Sequence, residues 1–318
     1  MVDTTVPVPG RDFPDTYREF VRAFPDEGTC LGYLEGLRWR DGFLCPSCKQ
    51  LASQPWRQSR ARLVCPACRH QASVTAGTIF DKTRTPLTTW FEAAWHVTTA
   101  KNGLSAKTLE RTLGVRYRVA WVMLQRFRVA MVRAERERLS GEVEVDETFL
   151  GGPKAGGKRG RGAIKNLVVI AIEIKRPRGL GRVRMRHVPD ASATHLLPFV
   201  SDVVLPGSSV LTDGWPAYNG LAHRGYPHKK TILSASDEHA HVLMPGVHRV
   251  ASLLKRWVLG THQGSVTPDH LQSYLEEFTF RFNRRTSRSR GLLFRRLMEQ
   301  AVMNGPVTEA DVTGGYDW

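Results

Sequence analysis

Cys45-Pro46-Ser47-Cys48 and Cys65-Pro66-Ala67-Cys68 repeat one pattern across 16 intervening residues, and this pair restricts the backbone more tightly than any other feature of the chain. A two-residue gap lets both sulfurs of a pair face one point, and the span between the pairs has the length of a hairpin that brings them together. Four thiolates complete a tetrahedral zinc site. The metal expected at Cys45, Cys48, Cys65 and Cys68 is therefore structural, with no open position for catalysis. His70 is not needed to close the set, and the isolated Cys30 reads as a small core residue.

Five cysteines in 318 residues are too few for a disulfide scaffold, and 41% hydrophobic content is enough for two or three cored domains. The charge balance, 46 Lys+Arg against 30 Asp+Glu for a net +16, favours a polyanionic partner and points to nucleic acid. No apolar run approaches the roughly 20 residues of a membrane span, and the first residues lack a basic-then-apolar signal pattern. A cytoplasmic protein without a membrane partner is expected.

Beyond the ribbon, Trp90, Ala93, Ala94 and Val97 recur at helical spacing within 88–100, and Gly103 ends the run. Ser105 is an N-cap candidate for a second helix, which Gly114 closes with a short turn. A third helix is expected over 117–139, with Val119, Val122, Met123 and Phe127 apolar and Arg118 and Arg126 on other faces. A helix, a short glycine turn and a basic helix make a helix-turn-helix-like order, which places Arg118 and Arg126 as candidate DNA contacts.

At Glu142 the period changes to two. Glu142-Val143-Glu144-Val145-Asp146 alternates strictly, as a strand with acids on one face and valines on the other. A glycine-rich basic loop follows, and its Lys154, Lys158, Arg159, Arg161 and Lys165 suit phosphate binding beside clustered carboxylates. The apolar run 167–174 suits a central strand, 182–188 its hairpin neighbour, and 192–205 a helix. A short buried strand then ends on Asp213. Strand, strand, strand, helix, strand, with an acid on the first and fourth strands, is the order of ribonuclease-H-like folds. His248, 35 residues after Asp213, shares one helical face with Ser252 and Lys255 at i, i+4 and i+7.

Glu144 to Gly152, Thr212-Asp213-Gly214-Trp215-Pro216-Ala217-Tyr218, 252–262 and 274–285, together with the ribbon motif 38–48, resemble the ISXO2-like insertion-sequence transposases of the DDE superfamily. The resemblance spans roughly 26–290 and implies an α/β chain: a zinc ribbon and a helix-turn-helix-like region preceding a ribonuclease-H-like domain with a mixed sheet flanked by helices. The corresponding boundaries are a leader over 1–25, the ribbon with a flanking helix over 26–80, the helical region over 81–140, the catalytic domain over 141–300 and a flexible tail over 301–318.

The resemblance further implies two-metal phosphoryl transfer on double-stranded DNA, at element ends and target, by a homo-oligomer associated with the nucleoid. Asp146 and Asp213 match the first two acidic positions of the triad, and His248 falls on the third, followed by the family's Lys at Lys255. Mg²⁺ prefers oxygen ligands, whereas Mn²⁺ tolerates imidazole. Asp237, Glu238 and Glu277 are competing carboxylates for that third place. His262, Arg284 and Arg285 are further candidate DNA contacts. The alternative is an inactive transposase derivative that only binds DNA.

Overall fold

The computed structural model describes residues 6–52, 55–59, 61–133, 135–151, 166–231, 243–264 and 266–314. The chain divides into two compact units, Met1–Arg133 completed by Thr286–Tyr316, and Ala134–Arg285.

The first unit starts with helices α1 (Tyr17–Ala23) and α2 (Glu27–Arg38). The α2 start is a capping box in which Asp26 accepts the Thr29 N–H and the Thr29 side chain reaches back to the cap. Five short strands follow: β1 (Phe43–Leu44), β2 (Leu51–Ala52), β3 (Trp56–Ser59), β4 (Arg62–Val64) and β5 (Gln71–Ser73), paired antiparallel as β1-β2 and β3-β4-β5. Then come α3 (Leu87–Thr99), α4 (Ala106–Leu113) and α5 (Tyr117–Ala130). Ser105 accepts the Thr108 N–H at 3.1 Å, and Gly114 closes α4 in the left-handed region at φ 65°.

The expected long third helix stops at Ala130 instead of Leu139. Leu139 is used by the other unit: its N–H donates to the Val203 carbonyl at 2.7 Å and its carbonyl accepts from Leu205 at 2.8 Å. Those strand-like bonds cannot coexist with helix over the same residues.

The leader and the tail are both structured where described. Phe20 and Phe24 from the α1 segment pack with Tyr33, Phe91 and Trp95 around Phe294, which is fully buried on α9 (Arg290–Met303). A further helix, α10 (Glu309–Thr313), has its own capping box and a buried Val312. The expected boundaries at 300 and 301 thus move back to 286, because Phe294 and its neighbours need an aromatic partner set that lies some 200 to 270 residues earlier.

The second unit is built on one mixed sheet. Strands β6 (Glu142–Leu150), β7 (Asn166–Ile174) and β8 (Leu180–Val188) form an antiparallel meander. After α6 (Ala193–Val203), β9 (Ser209–Thr212) returns parallel to β6, and a 3₁₀ segment (Pro216–Arg224) leads to β10 (His228–Lys230), parallel to β9. The order is β10-β9-β6-β7-β8. Two helices close the unit, α7 (Pro245–His262) and α8 (Pro268–Asn283).

The period-two reading of β6 explains which helix covers which face. Val143 and Val145 point into a core with Val169, Ala171, Phe199 and Val200 on the α6 side. The opposite face packs Val168, Ile170 and Ile172 against Val250 and Leu254 of α7 and Leu275 and Phe278 of α8. β7 is apolar almost throughout because both its faces are covered. Glu173, its exception, accepts from the Ser140 and Arg182 N–H groups and pairs with the Arg182 guanidinium at 2.8 Å. No described helix is long and apolar enough to cross a membrane.

Candidate active site and zinc centre

The two cysteine pairs adopt the same local geometry. The Cys45 N–H donates to the Gln50 carbonyl and its carbonyl accepts from Lys49, while Cys65 repeats this with His70 and Arg69. Lys49 and Arg69 both take positive φ, 60° and 63°, which turns each knuckle back on itself. The four sulfurs lie within 4.8 Å of one another. Cys45 Sγ and Cys68 Sγ are 3.6 Å apart, and Cys48 Sγ and Cys65 Sγ are 3.7 Å apart, close to the spacing of thiolates around one tetrahedral zinc. Phe43, Ala52, Leu63 and Ala72 pack around Cys45 and Cys65 as a small core. Four soft thiolates with no other donor fit structural zinc. Among the described residues no other group of three or more His, Cys, Asp or Glu side chains is drawn together in this way.

In the second unit, the β6-β9 register pairs Glu142 with Ser209, Val143 with Val210 and Glu144 with Leu211. The pairing ends there, two residues before Asp146 and Asp213, and the two carboxylates are near enough for the Asp213 charge to act on Asp146. Asp213 lies one residue past the end of β9, and its Oδ1 accepts the Trp215 N–H at 3.0 Å. Asp146 Oδ1 accepts the Glu147 N–H at 2.8 Å. His248, on the first turns of α7, brings Nε2 to 4.0 Å from Asp146 Oδ2. A cavity of about 430 Å³ is lined by Asp146, Glu147, Thr148, His248, Ser252 and Lys255 among others, as the i, i+4, i+7 spacing on α7 requires.

The electrostatics of this cavity are those of crowded acids. Burial first, and then the Asp213 charge, push the Asp146 carboxyl up to about 6, with Lys255 pulling the other way. Burial also raises Glu147, to about 7; the Tyr218 hydroxyl that donates to it opposes the rise, and the Asp146 and Asp213 charges add to it. Glu144 is raised by burial, against which the backbone N–H groups of Val247 and Gly246 act. This surplus of negative charge on hard oxygen donors fits a divalent cation held by Asp146 and Asp213. The imidazole 4.0 Å away suits Mn²⁺ better than Mg²⁺.

Glu144, Glu147 and Tyr218 are parts of the site that sequence reasoning missed. The alternation of acids on β6 was visible, and so was the Asp213-to-Tyr218 motif, but nothing in the spacing distinguishes a ligand from its supports.

Most of the candidate DNA contacts have other places. Lys154, Lys158, Arg159, Arg161 and Lys165 lie outside the described residues, as do the competing acids Asp237 and Glu238. Glu277 is buried and bonded to Arg281 at 2.9 Å, which removes it as a third carboxylate. Arg126 donates to the Ile79 carbonyl at 3.0 Å and stacks on Trp90, so it is a packing group instead of a free cation. Arg118 is exposed and bonded to Glu309. His262 sits between the Trp257 and Tyr274 rings, at 4.7 and 4.6 Å.

Arg284 lies over Phe280, and Arg285 over Phe282 with its guanidinium donating to the Gly181 and Leu180 carbonyls. Arg285 and Asn283, whose amide donates to and accepts from the Val183 backbone, fasten the end of α8 to β8. Arg126, His262, Arg284 and Arg285 thus each have partners within their own unit.

Comparison with known proteins agrees with this division. A family model described as an ISXO2-like transposase domain matches residues 138–283, within the second unit, and one described as a transposase zinc-ribbon domain matches residues 25–71, within the first. The chain is also similar to an uncharacterized protein in transposable element ISH50 of Halobacterium salinarum, 28% identical over 282 residues that cover 82% of this chain and 92% of the relative.

Proposed function

Since the chain belongs to the ISXO2-like transposases, with the family's zinc ribbon ahead of its transposase domain, we propose that it binds the ends of its insertion sequence and catalyses DNA strand cleavage and strand transfer. The second unit is then a ribonuclease-H-like domain: a three-strand meander, a helix, and a fourth strand parallel to the first is the topology that supports this reading. The observation that supports the function is the cavity that brings Asp146, His248 and Lys255 together, with the Asp213 charge acting on Asp146.

In this mechanism Asp146 and Asp213 supply the oxygen donors for divalent cations, with His248 completing the set beside Asp146. Bound Mg²⁺ or Mn²⁺ supplies Lewis-acid activation of a water or 3′-hydroxyl and charge neutralisation at the leaving oxygen. Lys255, two turns along the same helix face, offsets phosphate charge and orients the scissile group. No side-chain nucleophile is required. The zinc ribbon and α3-α5 are the elements for recognising DNA ends, and paired ends call for a homo-oligomer.

The test is incubation of the purified protein with linear DNA carrying the element ends and Mg²⁺ or Mn²⁺. Nicking or joining that disappears in Asp146→Ala and Asp213→Ala supports the reading. Binding without cleavage in either metal supports the second one, an inactive DNA-binding derivative, for which His248 at the third position is the specific observation.

A further inference from the structure

β6 presents three acidic side chains around one point, and their surroundings differ. Glu144 is 3% exposed, and its Oε2 accepts the Val247 N–H at 2.8 Å, with the Gly246 N–H also directed at it. These amides belong to the first turn of α7, whose N-cap residue Met244 provides no side-chain cap. A carboxylate from a strand thus does what an N-cap side chain does elsewhere, and a negative charge suits that helix end. A Cβ at Gly246 would stand 2.8 Å from Glu144 Oε2 and 2.5 Å from Ile174 Cδ1, so the close approach depends on glycine. His248 is the residue after Val247.

On the other side of Asp146, Glu147 accepts the hydroxyl of Tyr218, which is fully buried. Tyr218 stands five residues after Asp213, in the 3₁₀ segment. Between them Trp215 donates its N–H to Asp213 and its indole N–H to the Ala191 carbonyl at 2.8 Å. The turn bearing Asp213 is therefore fastened at Trp215 and again at Tyr218.

We propose that Glu144 and Glu147 are positioning residues: from either side of Asp146, Glu144 sets the first turn of α7 and with it His248, and Glu147, through Tyr218, sets the turn that carries Asp213. One strand then fixes the spacing of all three site residues. The competing role for Glu147 is that of a third carboxylate ligand in place of the one absent at position 248. The activity readout rests on the strand cleavage proposed above; the backbone readout does not.

The experiment uses the full chain with its zinc content checked, and compares Tyr218→Phe, Glu147→Gln, their double variant, Glu144→Gln and Glu144→Ala. Tyr226→Phe serves as control, because it removes another buried tyrosine hydroxyl of the same unit, one that donates to the Val204 carbonyl. Tyr218→Phe is expected to lower the cleavage rate about tenfold or more, since small misplacements at a reacting centre are costly.

Glu147→Gln keeps an acceptor for the hydroxyl and is expected to cost less, the double variant to match Tyr218→Phe, and Tyr226→Phe to leave cleavage unchanged. In metal-free protein, amide hydrogen exchange is expected to quicken at Trp215 in Tyr218→Phe and at Gly246 and Val247 in Glu144→Ala, with Glu144→Gln between Glu144→Ala and the parent. Loss of cleavage in Glu147→Gln with Tyr218→Phe active would make Glu147 a ligand and overturn the proposal. Unchanged exchange at those amides would also overturn it. A parent protein that cuts no DNA defeats the proposed function, and the exchange measurements then decide the positioning roles alone.

Discussion

His248 Nε2 lies 4.0 Å from Asp146 Oδ2, with the imidazole on a helix and the carboxylate on a strand. A nitrogen donor beside an oxygen donor sets a metal preference. Cleavage is expected to be stronger with Mn²⁺ than with Mg²⁺ in the parent protein, and His248→Glu is expected to move the preference toward Mg²⁺. His248→Ala is expected to lower activity with both metals. Cleavage rates in the two metals across the three proteins check this, and an unaltered Mn²⁺/Mg²⁺ ratio in His248→Glu would remove His248 from the ligand set.

The crowded acids predict how metal-free stability depends on pH. Folding raises Asp146 from 3.8 to about 6 and Glu147 from 4.5 to about 7, so the folded chain holds these protons more tightly than the unfolded one. Their contribution is complete below about pH 4 and is lost as pH rises through about 7, with a total on the order of a few kcal/mol. Thermal melts in a chelator that spares zinc should therefore show the second unit weakening from pH 5 to pH 8. Asp213→Asn removes one source of the rise and is expected to melt higher than the parent at pH 8 while losing cleavage. A lower melting temperature for Asp213→Asn at that pH would contradict this electrostatic account.

Zinc removal has a separable signature. Two of the four sulfurs are part of the ribbon's own small core, so losing the metal loses both the cross-link and the packing. Cys65→Ser is expected to abolish stoichiometric zinc and to expose the ribbon amides to rapid exchange. The second unit has its own cores and should keep its protection. Metal analysis with exchange mapping checks both halves of the expectation.

Arg285 tests whether a basic cluster at a helix end meets DNA or protein. Its guanidinium bonds to the Gly181, Leu180 and Phe282 carbonyls, and desolvation by burial lowers its pKa. Arg285→Ala is expected to destabilise the second unit by about 0.5 to 1.5 kcal/mol, the net worth of hydrogen bonds at a partly solvated helix end. A residue contacting phosphate would instead lower the slope of log affinity against log salt by about 0.9. Melting curves and salt-dependent DNA binding distinguish the two.

The sequence was most readable where chemistry forces local geometry. Two cysteine knuckles can converge in few ways, and strict alternation at 142–146 fixes which side chains of β6 share a face. Asp146 stands midway along β6 and Asp213 one residue past the end of β9, both within acidic patterns that the sequence displays. Charge was a poor guide to position: Arg126 and Arg285 look like any surface arginine until the carbonyls they bind are known. Glu144 and Glu147 were hidden for a related reason. A strand with four acids gives no sign of which carboxylate meets a helix amide and which a tyrosine hydroxyl some 70 residues away. The packing of Phe294 with Phe20 and Phe91 had no local signature at all.

That last contact has a bearing on how the protein is made. The second unit is one uninterrupted stretch and can close as soon as its final helix is synthesised. The first unit, begun earlier, cannot seal its aromatic core until α9 has emerged. During translation the order of completion is thus the reverse of the order of synthesis. A chain interrupted between Arg285 and α9 holds the whole second unit beside a first unit whose Phe20, Phe24 and Phe91 lack Phe294, so unfinished copies differ from finished ones by exposed aromatic rings.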